Sequence, residues 1–307
     1  MIDERPQVLM AAPLPAFLRE PLEAAYVCHD MASVEAHLAD IRAIIPLGGT
    51  VLNTDLLNRL PKLEIISVMG VGYDGVPIPW CREHGVRVTN TPDVLTDDVA
   101  DIAVALVLMT SRQLVASNRH LHDGKWRSGG FPLAHAIKGK VAGILGLGRI
   151  GKAIAHRLEA LGMQIAYHGR KPQNVPWTYV DSLSELAAKS DFLVLACPGG
   201  PETQKIVNAE ILAALGPEGT LINIARGSVV DEGALVMALE AGTIRTVGLD
   251  VFEDEPNVPA ALMNCERAVL LPHVGSATFE TRRAMANLVI ENLAAHFTGR
   301  ELITPVC

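Results

Sequence analysis

An arginine, a glutamate and a histidine stand at the ends of three apolar runs in the second half of the chain. Arg226 closes TLINIAR, Glu255 lies just past TVGLDVF, and His273 follows AVLLP. If those runs are strands of one open α/β sheet, their carboxyl ends converge on a crevice and bring the three side chains with them. The residue types suit carbonyl reduction. A hydride attacks the carbonyl carbon, and the oxygen then needs a proton, which an imidazolium can give near neutral pH. A neighbouring carboxylate favours and orients the protonated ring, the part open to Glu255. A guanidinium binds a substrate carboxylate and polarises the keto oxygen, the part open to Arg226.

The hydride needs a carrier, and VAGILGLGRIG supplies the place for one. Gly146, Gly148 and Gly151 fall at GxGxxG spacing, after a strand-like run and before the helix-patterned KAIAHRLEALG. The first glycine permits a sharp turn and the second a close approach of backbone to a pyrophosphate. The third lets the helix pack near the strand with its N–H groups facing the phosphates. About twenty residues further on, an NAD enzyme usually places an acid on the ribose hydroxyls. This chain reads Tyr167-His168-Gly169-Arg170-Lys171 instead. No acid repels a 2′-phosphate, the glycine leaves room, and Arg170 can pair a phosphate through its fork while Lys171 adds a point charge. The expected cofactor is NADP(H), with NAD(H) possible.

The elements that position these residues alternate in kind. Gln7–Ala12, Ala24–Cys28, Ala43–Leu47, Leu63–Met69 and Val86–Thr89 are short apolar runs, separated by stretches such as SVEAHLADIR with helical spacing. From Val141 six more strands follow: VAGILGLG, QIAYHGR, FLVLACP, TLINIAR, TVGLDVF and AVLLPHV. Between the last strands DEGALVMALEAG reads as a helix capped by Asp231 and closed by Gly242. Such alternation predicts α/β architecture with doubly wound parallel sheets. Gly70-Val71-Gly72 follows the fourth strand, where exposed N–H groups can hold a carboxylate. Thr96-Asp97-Asp98 opens a stretch of over twenty residues, VADIAVALVLMTSRQLVASNRHL, that predicts one long helix. The loop HDGKWRSGGFPL then carries Trp126, either an interface anchor or part of a lid. Helices before and after the second sheet predict a discontinuous first domain, 1–98 with 278–307, around a dinucleotide-binding domain at 99–277.

Composition narrows the class. The 307 residues are 49% hydrophobic and 20% charged, as expected of a soluble two-domain protein. A net charge of −8 argues against a nucleic-acid partner. No run of about 18 apolar residues predicts a membrane span, and the acidic N-terminus MIDERPQVLM does not read as a signal peptide. Five scattered cysteines without a CxxC pair suit a reducing cytoplasm and predict neither disulfides nor a metal site.

SVMGVGYDGV, VLTDDVADIAVALVL, GKVAGILGLGRIG, LINIARGSVVDEGAL, GLDVFEDEP and LLPHVGSAT together resemble the D-isomer-specific 2-hydroxyacid dehydrogenase family, near its glyoxylate/hydroxypyruvate reductase branch. The resemblance implies a flavodoxin-like substrate domain, a Rossmann cofactor domain, a cleft between them and a homodimer held through the cofactor domains. It implies a catalytic Arg226, Glu255 and His273, with the substrate carboxylate also held by backbone at Val71 and Gly72. It implies cofactor contacts along Gly146, Leu147, Gly148, Arg149, Ile150 and Gly151, at His168, Gly169, Arg170 and Lys171, and at Cys197 and Pro198. Thr203, Ile224, Ala225, Arg226, Asp250, His273 and Gly275 complete that set. Small 2-keto acids such as glyoxylate and hydroxypyruvate are the first expectation for substrate, and aromatic or bulkier ones the second. A nucleotide-sensing, co-repressor-like role is the non-enzymatic alternative. Glu255 ahead of His273 argues against formate oxidation, which releases no hydroxyl proton.

Overall fold

The short apolar runs of the first hundred residues become parallel strands because their side chains are covered on both faces. They are β1 (Gln7–Met10), β2 (Val27–Asp30), β3 (Ile41–Ile45), β4 (Ile65–Ser67) and β5 (Arg87–Thr89). In the computed structural model, which describes residues 4–307, they pair in the order β2-β1-β3-β4-β5. That is the flavodoxin-like winding. Residues Met1 to Asp3 of the acidic N-terminus lie outside the described residues. A helix at Phe279–Phe297 returns to this sheet and packs on β4 and on the helix Ala16–Ala25. The chain then runs antiparallel to β5, with the Val306 N–H donating to the Val88 carbonyl at 2.7 Å. Residues up to Leu95, with Ala277–Cys307, thus form one compact unit.

The second unit is Thr96–Ser276. Its strands are β6 (Val141–Leu145), β7 (Gln164–His168), β8 (Thr178–Tyr179), β9 (Phe192–Leu195), β10 (Thr220–Asn223), β11 (Thr246–Leu249) and β12 (Ala268–Leu270). All pair in parallel, in the order β12-β11-β10-β9-β6-β7-β8. Counted from β6, the order is the Rossmann 3-2-1-4-5-6 with one strand added. The register aligns the strand ends: Leu145 pairs with His168 and Leu195, Asn223 with Leu195 and Leu249, and Leu249 with Leu270. Residues that follow these six therefore leave the sheet along one edge.

Three local expectations need correction. The sheet has seven strands rather than six, because the two-residue β8 carries no apolar run to announce it. The long helix is two, Thr96–Arg112 and Leu114–His122, bent by 62° at Gln113, whose φ is +51°. The Thr110 hydroxyl donates back to Leu106 and Val107 carbonyls, and Ser111 donates to the His135 carbonyl, so the last turn is drawn off its axis. SVEAHLADIR folds as two short 3₁₀ turns, Val34–Ala36 and Leu38–Asp40, with Val34 alone of those six residues fully buried. Too narrow an apolar stripe remains there to support an α-helix. No single helix among the described residues is long and apolar enough to cross a membrane.

Candidate active site

The glycine loop leaves β6 at the point where strand order reverses. Gly146 has φ +93°, and a Cβ added there would lie 2.7 Å from the Cys197 Cα, so both the turn and the neighbouring strand exit require glycine. A Cβ at Gly151 would come 2.2 Å from the Gly146 carbonyl oxygen, which is the close packing of helix on strand. At Gly148 a Cβ would meet nothing within 4 Å. Here the missing side chain leaves open space over the helix Arg149–Ala160, which has a glycine N-cap, no side-chain cap and no acid in its first turn. Such an end attracts an anion. Leu147 is buried, Ile150 half-buried, and Gly148 and Arg149 are exposed at the rim.

At the end of β7, His168 Nδ1 donates to the Val180 carbonyl at 2.8 Å, and the ring stacks near Tyr179. Its ring thus closes the sheet edge. Gly169 again has open space where a Cβ would be, and Arg170 and Lys171 are exposed just after it. At the end of β9, burial pushes the Cys197 thiol up to about 11 and keeps it an inert packing group. Pro198 is exposed, and the Thr203 hydroxyl donates to its carbonyl at 2.7 Å, closing the loop on itself. Ile224 and Ala225 are buried as they leave β10.

Arg226, Glu255 and His273 emerge from three neighbouring strand ends. The Glu255 carboxylate accepts from His273 Nδ1 at 2.7 Å and from the Phe252 N–H at 3.1 Å. Burial pushes this carboxyl up, but the hydrogen bond and charge of His273, the Phe252 N–H and the charge of Arg226 outweigh it. Glu255 is held below the usual carboxylate range. The loops bearing Arg226 and Glu255 touch through backbone, since a Cβ at Gly227 would lie 1.8 Å from the Phe252 carbonyl carbon. Arg226 is half-buried, and its Nη1 donates to the Ala225 carbonyl at 2.7 Å.

Two groups position these side chains, Asn223, which the sequence reading missed, and Asp250, which it named at the cofactor. Asn223, buried at the end of β10, accepts from the Ala225 N–H and donates to the Arg226 carbonyl, bracketing the arginine. Its signal in the sequence is one amide closing an otherwise apolar strand. Asp250, which the resemblance places among the cofactor contacts, accepts from the Val274 N–H at 2.7 Å and the Gly275 N–H at 2.8 Å. These bonds pin the residues after His273, whose φ of +53° is a sparsely populated conformation for a side chain of this size. Burial pushes the Asp250 carboxyl up although both N–H groups oppose it.

In the other unit, Val71 and Gly72 sit on a loop fastened from both sides. The Asn90 amide donates to the Val71 carbonyl at 2.8 Å, and the Thr91 N–H donates to the Gly70 carbonyl at 2.9 Å. A Cβ at Gly70 would lie 2.7 Å from the Gly48 Cα. Among the described residues, neither the Val71 nor the Gly72 N–H donates to a protein acceptor. No group of acids, histidines and cysteines among them could hold a metal ion.

These features define a two-unit α/β protein whose Rossmann unit carries a dinucleotide loop and a paired imidazole and carboxylate. Residues 104–275 match the family model described as D-isomer specific 2-hydroxyacid dehydrogenase, NAD binding domain. The chain is 48% identical over 309 residues to a hydroxyphenylpyruvate reductase of Plectranthus scutellarioides, covering 97% of this chain and 98% of that one. It is 46% identical over 308 residues to a glyoxylate/hydroxypyruvate reductase of Arabidopsis thaliana, with the same coverages of 97% and 98%. An NADPH-dependent glyoxylate/hydroxypyruvate reductase from Sinorhizobium meliloti, solved with NADP and malonate, superposes with a TM-score of 0.94 at 46% identity, over 99% of this chain and 97% of that one. The chain belongs to the D-isomer-specific 2-hydroxyacid dehydrogenase family and is an oxidoreductase of that family.

Proposed function

We propose that this enzyme reduces small 2-keto acids, glyoxylate and hydroxypyruvate foremost, to D-2-hydroxy acids with NADPH. The observation that carries the reading is the 2.7 Å His273–Glu255 hydrogen bond on the same sheet edge as the glycine loop. With Nδ1 engaged by the carboxylate, Nε2 is the atom that hands a proton to the substrate oxygen. Glu255 orients the ring and balances its charge when it is protonated. Arg226 takes the substrate carboxylate and draws electron density from the keto oxygen. The nicotinamide, when bound, supplies the hydride.

The chain's residues fit NADP(H) on three counts. Gly148 and Gly169 leave space, the helix Arg149–Ala160 offers an uncapped N-terminus, and Arg170 with Lys171 stands where an acid would repel the 2′-phosphate. NAD(H) is the lesser cofactor in this reading. A second substrate class, aromatic or bulkier keto acids, is favoured by the 48% identity to a hydroxyphenylpyruvate reductase. A panel of glyoxylate, hydroxypyruvate and hydroxyphenylpyruvate against NADPH and NADH, followed at the nicotinamide absorbance, decides among these. His273→Ala is expected to lose most turnover while keeping its affinity for NADPH. Better catalytic efficiency with NADH would reject the cofactor assignment, and nucleotide binding without turnover of any keto acid would reject the enzymatic one.

A further inference from the structure

The segment that follows β7 is fastened at both ends around its two cations. At the near end the Tyr179 hydroxyl donates to the Gly169 carbonyl at 3.2 Å. At the far end the Tyr167 hydroxyl, on a fully buried ring, accepts from the Gln173 N–H at 2.7 Å and donates to the Gln173 carbonyl at 3.3 Å. With its backbone so clamped, Gln173 turns its side chain to the glycine loop, where Nε2 donates to the Leu147 carbonyl at 2.8 Å. Arg170 and Lys171 are exposed between these two anchors. Long cationic side chains lose conformational entropy when they hold a ligand, so a fixed backbone beneath them makes phosphate binding less costly.

We propose that Gln173 is a positioning residue for NADP. By tying the Arg170–Lys171 segment to the glycine loop, it sets the spacing between the groups that take the 2′-phosphate and those that take the pyrophosphate. The inference rests on the reading that Arg170 and Lys171 hold the 2′-phosphate. Gln173 acts through those two cations, with the Leu147 carbonyl as its anchor. Its effect therefore falls on NADPH and spares NADH, which has no 2′-phosphate to place.

The test is equilibrium binding of NADPH and NADH, without substrate, to the full-length wild type and three variants. Gln173→Met keeps the side-chain length and removes the donor, and Tyr167→Phe keeps the buried ring and removes the clamp. Arg170→Ala/Lys171→Ala removes the phosphate ligands themselves. Loss of one neutral hydrogen bond predicts NADPH binding weaker by about fivefold in Gln173→Met, with NADH changed by less than about twofold. Tyr167→Phe is expected to move the NADPH to NADH ratio in the same direction. Equal weakening of both nucleotides, or no weakening of either, in the Gln173 and Tyr167 variants would overturn the positioning role. If the double cation variant keeps the wild-type ratio, the phosphate reading itself fails and the inference falls with it. If that variant loses the ratio while Gln173→Met and Tyr167→Phe retain it, the inference alone fails.

Discussion

Asp250→Asn isolates how His273, the proposed proton donor, is held. Asp250 is 2% exposed, and its carboxylate accepts from two successive backbone N–H groups, at Val274 and Gly275. An asparagine keeps one acceptor oxygen but points an NH₂ at the other donor, so one charge-assisted bond is exchanged for a repulsive contact. That loss is about 1.5–3 kcal/mol. The left-handed conformation of His273 stores about 1–3 kcal/mol of strain. The lost bond is thus of the size of the strain it restrains, and the histidine is expected to relax away from its working position. If the full loss appears in the chemical step, kcat/KM for hydroxypyruvate falls roughly ten- to hundredfold. The assay is steady-state reduction with NADPH alongside direct NADPH binding. A double-mutant cycle with His273→Ala completes it, because a residue acting through His273 has little left to lose once the imidazole is gone. An unchanged kcat/KM would refute the reasoning. So would a loss that lies wholly in NADPH affinity, since Asp250 would then serve the cofactor directly.

Other perturbations separate structure from chemistry. Gly146→Ala places a Cβ against Cys197 at a φ of +93° and is expected to lower Tm as well as nucleotide binding, whereas Gly148→Ala meets no protein atom and is expected to weaken nucleotide binding with Tm retained; thermal denaturation beside calorimetric titration distinguishes them. Arg226→Ala should raise the KM for keto acids and lower kcat, by at least about tenfold in kcat/KM for a lost charge-assisted contact, and an unaltered KM in a keto-acid titration would remove it from substrate binding. Asp191 accepts from Lys140 Nζ and from the Val141 N–H, joining the starts of β9 and β6. Burial pushes its carboxyl up, but Lys140, the Val141 N–H and Arg245 hold it below the ordinary value of 3.8. Its folded-state value is depressed, so its stabilisation is full above the ordinary value and is lost as pH falls through the depressed one. Asp191→Asn should therefore lower Tm by roughly 2–4 °C at pH 7, with the gap to wild type closing below the ordinary carboxylate range; a gap independent of pH would contradict the assignment.

The parallel strands were legible because burial on both faces leaves uninterrupted apolar runs, and β6 and β9 through β11 come from such runs. The helix Glu232–Glu240 was legible at both ends: the Asp231 side chain accepts from the Ala234 N–H, and Gly242 has φ +71°. The break at Gln113 was not, since no glycine or proline marks it. What ends the first helix is a change of surroundings, from seven buried residues in Thr96–Arg112 to none in Leu114–His122. Within the site, chemistry-bearing side chains at strand ends were visible because the register projects them along one edge. The groups that hold them act by hydrogen bonds to backbone, Asn223 within its own loop, Asp250 to the loop after β12 and Gln173 to the glycine loop. Such bonds leave no periodicity in the sequence.

The division of the first unit into two stretches fixes an order of assembly during synthesis. When β1 to β5 have left the ribosome, the C-terminal segment that bridges Thr89 through Pro305 and the helix Phe279–Phe297 that packs on β4 have not yet been made. The Rossmann unit, begun later, has all of its strands as soon as residue 276 is out. Domains ordinarily fold from the N-terminus onward as they emerge. Here the unit begun first is finished last: its five strands are made, but the helix over β4 and the segment beside β5 follow only after some 180 residues of another domain are translated.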